Sequence, residues 1–576
     1  MRKMVARIIL FGLLAAPLQV LFGVQSIIHA QVIDPKQITL TSQTPVLLTS
    51  NGEPEMAAAI SGNKVIITSG SAPSGNDKIY VWDISSNITK VYSRPPGSAT
   101  YNGYGNDTLI ARLADGQFLL SAQGAKTSSD QGGVKVTYAS GLPAEVMWRS
   151  LTGDTWSSVS ALVSSLVNQG YCAQLPPGKG GFDRPELYAD LWGKTSAGSR
   201  VFMTTACVRS DDVSLPLFVS DDSGKTWSNS TINLEGNWTP AVMIASESRL
   251  FFAQCINVGG GPERSKWDIR AHLSWSDDRG KSLTPPDPST PDAKFLDITQ
   301  PGSQCGWTAD PGIAFNKPSY ALVRTKDPAV VLFAYPSVEK YDSTHERQIL
   351  QVMMVNTRNR AVTLYRTIRP TSSTGSILHF SFIDDPRPSP SGDMISLIYW
   401  VETDAAIEVP PQPWKAETKW PTPVTAHAKY SLFIGRRGWT EPVELSSAGW
   451  TIPFPSLPPV NKIPKDCGSK DSPPWPQCAE TWYGDYMKGG SAVNGNSIRF
   501  ATAWPECTAQ EKCALKAQVV SVNVAGSTQP GTVAALPLSW KTAPVVKATQ
   551  FNPAIHGPAI HQRTQQVERQ RVERKP

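Results

Sequence analysis

Short apolar runs, each closed by a tight polar turn, recur along most of the chain. The unit repeats seven times. A polar or acidic residue, with proline or glycine nearby, leads into an apolar run; a short turn follows, and a second apolar run returns. The pairs are 52–60 with 64–68, 105–110 with 117–120, 182–190 with 200–203, 238–244 with 249–252, 317–322 with 329–333, 385–389 with 394–400, and 482–487 with 497–501. Runs this short, rich in Val, Ile, Phe and Tyr, predict strands, and helical periodicity is not sustained anywhere between them. Spaced self-similarity of this kind marks a repeat architecture. The expectation is an all-β chain in which each unit supplies the two inner strands of a four-stranded blade, so seven starts predict a seven-bladed β-propeller. Six blades is the second choice, and two packed sheets the third.

A second recurrence lies on the turns. Ser220-Asp221-Asp222-Ser223-Gly224-Lys225-Thr226-Trp227 follows the apolar run Leu215–Val219. Gly224 suits a positive φ, Asp222 can accept from turn amides, and the Ser220 and Thr226 hydroxyls can bond locally. Trp227 then offers a large flat surface to a neighbouring sheet. Ser276-Asp277-Asp278-Arg279-Gly280-Lys281-Ser282-Leu283 keeps the Ser, Asp and Gly, while Gly153-Asp154-Thr155-Trp156 keeps the second half and Gly438-Trp439-Thr440 is a fainter echo. The stretch resembles the Asp-box, or BNR repeat, of sialidases and related propellers of secreted bacterial type. In that family the box, here Ser220, Asp222, Gly224, Thr226 and Trp227 with Ser276, Asp278 and Gly280, sits on an outer turn away from the active site. It therefore marks fold, and the alternative is a set of unrelated polar hairpins.

The ends change the picture of charge and place. Residues 1–30 combine Arg2, Lys3 and Arg7 with an apolar run from Ile8 to Val24 and a small residue at Ala30, the pattern of a secretory signal peptide. An uncleaved anchor is the alternative. Residues 31–540 form the propeller region, and 541–576 read as a disordered basic tail, polar and poor in apolar residues. The formal net charge is +6, but the two basic ends account for more than that excess, so the body between them is slightly acidic. Nucleic acid is thereby excluded as a partner of the body. The expected location is secreted or periplasmic, without a stable membrane span after signal removal.

Eight cysteines in an exported chain point to disulfides. The spacings suggest Cys467 with Cys478 and Cys507 with Cys513 as local staples, and Cys172 with Cys207 and Cys255 with Cys305 then follow by elimination, among the 105 pairings that sequence alone allows. None has the spacing of a zinc site. No phosphate-binding loop or nucleophile elbow occurs, and no cofactor or metal is expected.

The sialidase resemblance implies arginines from several blades around a sugar carboxylate, for which a planar, permanently charged guanidinium is suited. It also implies a tyrosine nucleophile activated by a glutamate, with an aspartate as acid and base. The candidates at blade starts are Arg184, Glu186, Arg387, Asp485 and Tyr486, with Arg270 and Arg369 as further arginines. The family's early Phe-Arg-Ile-Pro motif has no clean match, since Phe182-Asp183-Arg184-Pro185 is displaced by one residue. Two functions follow: an exo-glycosidase acting on acidic sugars of the sialic-acid type, or a non-catalytic propeller binding glycan or protein. The partner is a glycan or glycoconjugate, with the propeller face or the C-terminal tail as a surface for protein. A third reading makes these residues structural, acids bonding backbone amides and arginines pairing with them.

Overall fold

The computed structural model describes most of residues 38–524, outside 71–76, 97–107, 125–143, 160–180, 236–240, 259–267, 286–294, 306–319, 388–392, 406–423, 453–486 and several shorter gaps. The expected signal segment and tail lie outside the described residues. So do Asp485, Tyr486, Cys172, Cys467 and Cys478.

Seven small sheets, built almost wholly of antiparallel pairs, form a seven-bladed β-propeller, and among the described residues there is no α-helix. The inner strands, blades 1 to 7 in chain order, are Glu55–Ser61, Leu109–Arg112, Gly181–Lys194, Val242–Ser246, Ala321–Arg324, Ile377–Ile383 and Gly490–Asn494. Each of the first five lies beside the inner strand of the next blade, the sixth lies beside the short strand Met487–Lys488, and the seventh returns to the first. The two ends of the described chain close the ring. Ile38–Ser42 and Val46–Gly52 both pair with Lys512–Val524, in registers that set Ile38 against Val524 and Val46 against Ala517. The short strand Met487–Lys488 adds itself in parallel to the inner strand of blade 1, Met487 opposite Met56.

The core of this molecule is distributed between blades. Ala57, Ile66, Val81, Phe118, Leu120 and Trp148 are buried together between blades 1 and 2. Phe202, Leu217, Ile232, Met243 and Phe252 fill the space between blades 3 and 4, and Val323, Leu332, Phe380 and Trp400 that between blades 5 and 6. A strand that packs against a neighbour on each side is apolar on both faces, so its sequence reads as a run without alternation. Ile377–Ile383 is buried at every position. That explains a difference from the sequence expectation: in blade 6 the stretch beginning at Asp385 is not a strand start. It is the connection that follows the inner strand, and the returning strand is Ile395–Thr403.

The turns fasten one blade to the next. In blade 3, Asp222 Oδ1 accepts from the Lys225 and Thr226 amides at 3.0 and 2.8 Å, and Oδ2 from the Thr226 hydroxyl at 2.6 Å. The Gly224 amide donates to Ser220 Oγ at 2.8 Å, and the Trp227 indole to the Gly224 carbonyl at 3.1 Å. Gly224 has φ +80°, and a Cβ there would also press to 3.1 Å from Leu119 of blade 2. Trp227 is buried with Leu113, Leu119 and Met147, all of blade 2. The turn at Ser276–Ser282 repeats the bonds around Asp278, and a Cβ on Gly280 would meet Leu217 and Phe202 of blade 3. The abbreviated turn does the same: the Gly153 amide donates to Ser150 Oγ, the Trp156 indole donates to the Gly153 carbonyl, and Gly153 sits against Ile66 and Val81 of blade 1. These turns are thus plugs between blades, and close backbone approach requires glycine at their centres.

Burial disfavours ionisation of Asp278, but the Ser276 and Ser282 hydroxyls and two amides outweigh it and bring the carboxyl down to about 2. A folded value below the unfolded one, roughly 3.9, gives stability that is complete above the unfolded value and lost as pH falls through the folded one. Urea-unfolding midpoints measured from about pH 5 down to about pH 2 are expected to fall more steeply for the wild-type chain than for Asp278→Asn; parallel curves would show that the turn carboxylate contributes nothing.

Candidate functional site

A cavity of about 250 Å³ runs along the central channel, and the inner edges of all seven blades line it. The two ends of the channel differ in what surrounds them. Where inner strands end, most connections are short, such as 62–63, 195–198 and 495–496, with 277–295 the long one. The connections 125–143, 160–180, 298–320, 404–423 and 453–486 all leave from the opposite face, where inner strands begin. Binding residues concentrate where long connections converge on a rigid frame. Both described disulfides, Cys255–Cys305 and Cys507–Cys513, stand toward this long-connection face, the first tying the segment after blade 4 to that blade and the second closing the hairpin of blade 7.

Blades 3 and 6 each supply several polar lining residues. The inner strand of blade 3 carries Glu186, Tyr188 and Trp192 into the wall, with Asp190 buried behind them. Near the long-connection face, Glu186 makes an ion pair with Lys488, which belongs to the short strand laid on blade 1, so the pair bridges the channel. Below it, Tyr188 is hydrogen-bonded to the backbone of Ala245 in blade 4; burial, and then the charge of Asp190, push its phenol well above the ordinary value. Tyr320, Phe380, Phe382, Leu187 and Met487 provide apolar walls.

A buried cluster joins three blades at the short-turn end. Arg324, at the end of the inner strand of blade 5, is 3% exposed. Its Nε donates to Asp384 Oδ2 of blade 6 at 2.5 Å, and a terminal nitrogen donates to the Asp385 carbonyl at 2.5 Å. The face of its guanidinium lies over the indole of Trp192 in blade 3, 3.3 Å from the ring centroid. Burial holds the Asp384 carboxyl above the usual carboxylate range, with Arg324 opposing it. Asp190 is also raised by burial, and the amides of Trp192 and Gly193 oppose that shift. The inner strand of blade 2 ends at Arg112, which lines the same cavity. Its guanidinium is pushed below the ordinary value by burial.

The sequence candidates are spread through this frame. Glu186 lines the channel. Arg184 lies two residues earlier on the same strand. Arg387 stands beyond the inner strand of blade 6 and is held by Asp385, at 2.7 Å, and by the Asp393 carbonyl, at 2.8 Å. Arg270 pairs with Asp268 and Arg369 with Glu339; neither lines the cavity. Arg112, Tyr188, Trp192, Arg324, Asp384 and Lys488 were not singled out from the sequence. Arg112 stands at the end of an inner strand, whereas the sequence candidates stand at strand starts. Among the described residues no cluster of His, Cys, Asp and Glu could hold a metal ion, and no helix is long and apolar enough to cross a membrane.

No protein-family model matches the chain, and no curated protein does. Among solved structures it is similar to a polysaccharide lyase described as a PL25 ulvanlyase, at 9% identity over 82% of this chain and 95% of that one, with a TM-score of 0.39. It is similar to a Hadza microbial sialidase at 12% identity over 77% and 73%, TM-score 0.36. A Penicillium chrysogenum α-L-arabinanase complexed with arabinobiose shares 11% identity over 83% and 98%, TM-score 0.34. Likeness of this degree leaves the chemistry of the site to its own geometry.

The cluster at the short-turn end has a measurable consequence. Truncation of one partner of a buried ion pair leaves the other charge uncompensated and costs about 3–5 kcal/mol, whereas an apolar pair of similar volume is often neutral. Arg324→Ala is therefore expected to lower unfolding stability by about that amount, and Arg324→Met combined with Asp384→Leu to recover most of it in denaturant titrations. A double variant as unstable as the single one would assign the loss to packing on Trp192 instead.

Proposed function

We propose that this chain is an exported glycan-binding propeller that takes one sugar residue of a glycan or glycoconjugate into its central channel. The observation that carries the reading is the channel cavity itself: apolar walls, several of them aromatic, and a few placed polar groups. A sugar ring has an apolar C–H face and a hydroxyl rim, and such a wall matches both. The volume of about 250 Å³ falls just below the roughly 300 Å³ at which small-ligand sites usually begin, so it suits a single ring better than a chain. Export rests on the N-terminal segment and is supported by the two disulfides, which persist in oxidising compartments.

The second reading is an exo-glycosidase of the sialidase type, with Arg184, Glu186, Arg387, Asp485 and Tyr486 as its site. One observation favours it: Glu186 and Tyr188, a carboxylate and a phenol two positions apart, line the channel together. Two weigh against it. Glu186 is engaged by Lys488, and the Tyr188 phenol is shifted upward, opposite to an activated nucleophile. Arg324 and Arg387 are also committed to carboxylates of this chain.

Purified full-length chain lacking the N-terminal signal segment is expected to bind immobilised glycans on an array and to release no fluorophore from a sialic-acid glycoside. Fluorophore release that disappears in both Arg184→Ala and Tyr486→Phe would replace the binding reading with hydrolysis. A folded chain that neither binds nor turns over any glycan would remove both.

A further inference from the structure

One ion pair of the channel runs from wall to wall. Glu186 belongs to blade 3 and Lys488 to the short strand laid on blade 1, with blade 2 between them. Both residues line the cavity. Lys488 stands opposite Ala57, toward the start of that inner strand and so toward the long-connection face. Tyr188 and Trp192 lie further along the strand that carries Glu186. Ser491 also lies deeper, since its hydroxyl donates to the Asp384 carbonyl at 2.7 Å, within the cluster at the short-turn end. The pair therefore stands between the long-connection face and the inner half of the cavity. The backbone beneath Lys488 has no room to give. Met487 is buried with Met56, Ala58 and Ile383. A Cβ on Gly489 would meet the Ala501 carbonyl at 2.8 Å, and one on Gly490 the Ala58 carbonyl at 2.7 Å, so these glycines let the segment wedge between blades 6, 7 and 1.

We propose that the Glu186–Lys488 pair is an autoinhibitory crossbar: it closes the inner half of the channel, where Tyr188, Trp192 and Ser491 stand, until the lysine swings away. The moving part is the lysine side chain alone. Its four-carbon stem is flexible, whereas the wedged backbone that carries it is fixed. The two side chains, Lys488 and Glu186, are 28% and 13% exposed. A released ammonium therefore meets water, and the bond can break without stranding a charge in the core. The opposite end of the channel is held by Arg324, itself 3% exposed, with Asp384 and Trp192 against it. The crossbar governs access, so it stands apart from the question of whether the occupant is a sugar.

The test places a thiol on the inner side of the bar and times its modification. Ser491→Cys, a nearly isosteric change, is introduced into the full-length chain lacking the signal segment, alone and combined with Lys488→Ala or Glu186→Gln. The probe is methyl methanethiosulfonate, which is small and uncharged, and modification at position 491 is read by peptide mass spectrometry. Thermal unfolding establishes that each variant is folded. The expected result is slow modification of Ser491→Cys alone, modification at least about tenfold faster when Lys488→Ala is added, and an intermediate rate with Glu186→Gln. Added salt is expected to speed the chain that keeps the pair and to leave the Lys488→Ala chain unchanged. Equal rates in all three overturn the crossbar: if fast, the channel stands open, and if slow, something else obstructs it. A rate raised by Lys488→Ala but by neither Glu186→Gln nor salt makes the lysine a steric plug and overturns the ion pair as the bar. Should Lys488→Ala fail to fold, Glu186→Gln and the salt series decide alone, and a rate that neither changes overturns the proposal.

Discussion

Everything in this fold depends on the fact that no blade can bury its own faces. A four-stranded sheet has two sides, and in a ring each side finds cover only on the next sheet. The buried residues accordingly group by interface, with Trp148 between blades 1 and 2 and Trp400 between blades 5 and 6. The polar turns serve the same end. Asp222 and Asp278 spend their carboxylates organising tight loops whose central glycines press on the preceding blade. Hydrogen bonding shapes the plug, and apolar contact is what the plug delivers.

The channel is what remains where the sheets cannot meet. Seven inner strands leave a gap whose walls are apolar at mid-height and whose charges are bridged from one blade to another, Glu186 to Lys488 and Arg324 to Asp384. The first reaches across the channel from blade 3 to the strand laid on blade 1, and the second joins the neighbouring blades 5 and 6.

Much of the architecture was legible in the chain because a blade is a local event. A strand, a two-residue turn and a returning strand announce themselves within twenty residues, and Gly224 and Asp222 carry their turn in eight. Blade 6 escaped because its inner strand is buried on both sides and shows no alternation, which left the acidic, proline-rich connection after it as the stronger signal. The site was less legible for a related reason. Arg324 gains its meaning from Trp192 and Asp384, which come from two other blades, and nothing in Ala321-Leu322-Val323-Arg324 states that encounter. Arg112 and Trp192 are likewise ordinary at the level of their strands. Only the closing of the ring makes them neighbours of one cavity.

That closing has an order in time. Blade 7 takes its inner strands from residues 490–524 and its outer strands from 38–52. A chain that emerges from its amino end can pair blades 1 to 6 as they appear, since each is contiguous. The strands at 38–52 must wait, with unsatisfied edges, for a partner made after blades 1 to 6. Long-range pairings of this kind are slow to form because the entropy of the intervening loop is lost first. The ring therefore behaves as a clasp that snaps only after residues 512–524 have been made. Until then the chain is an open arc, and the channel does not yet exist.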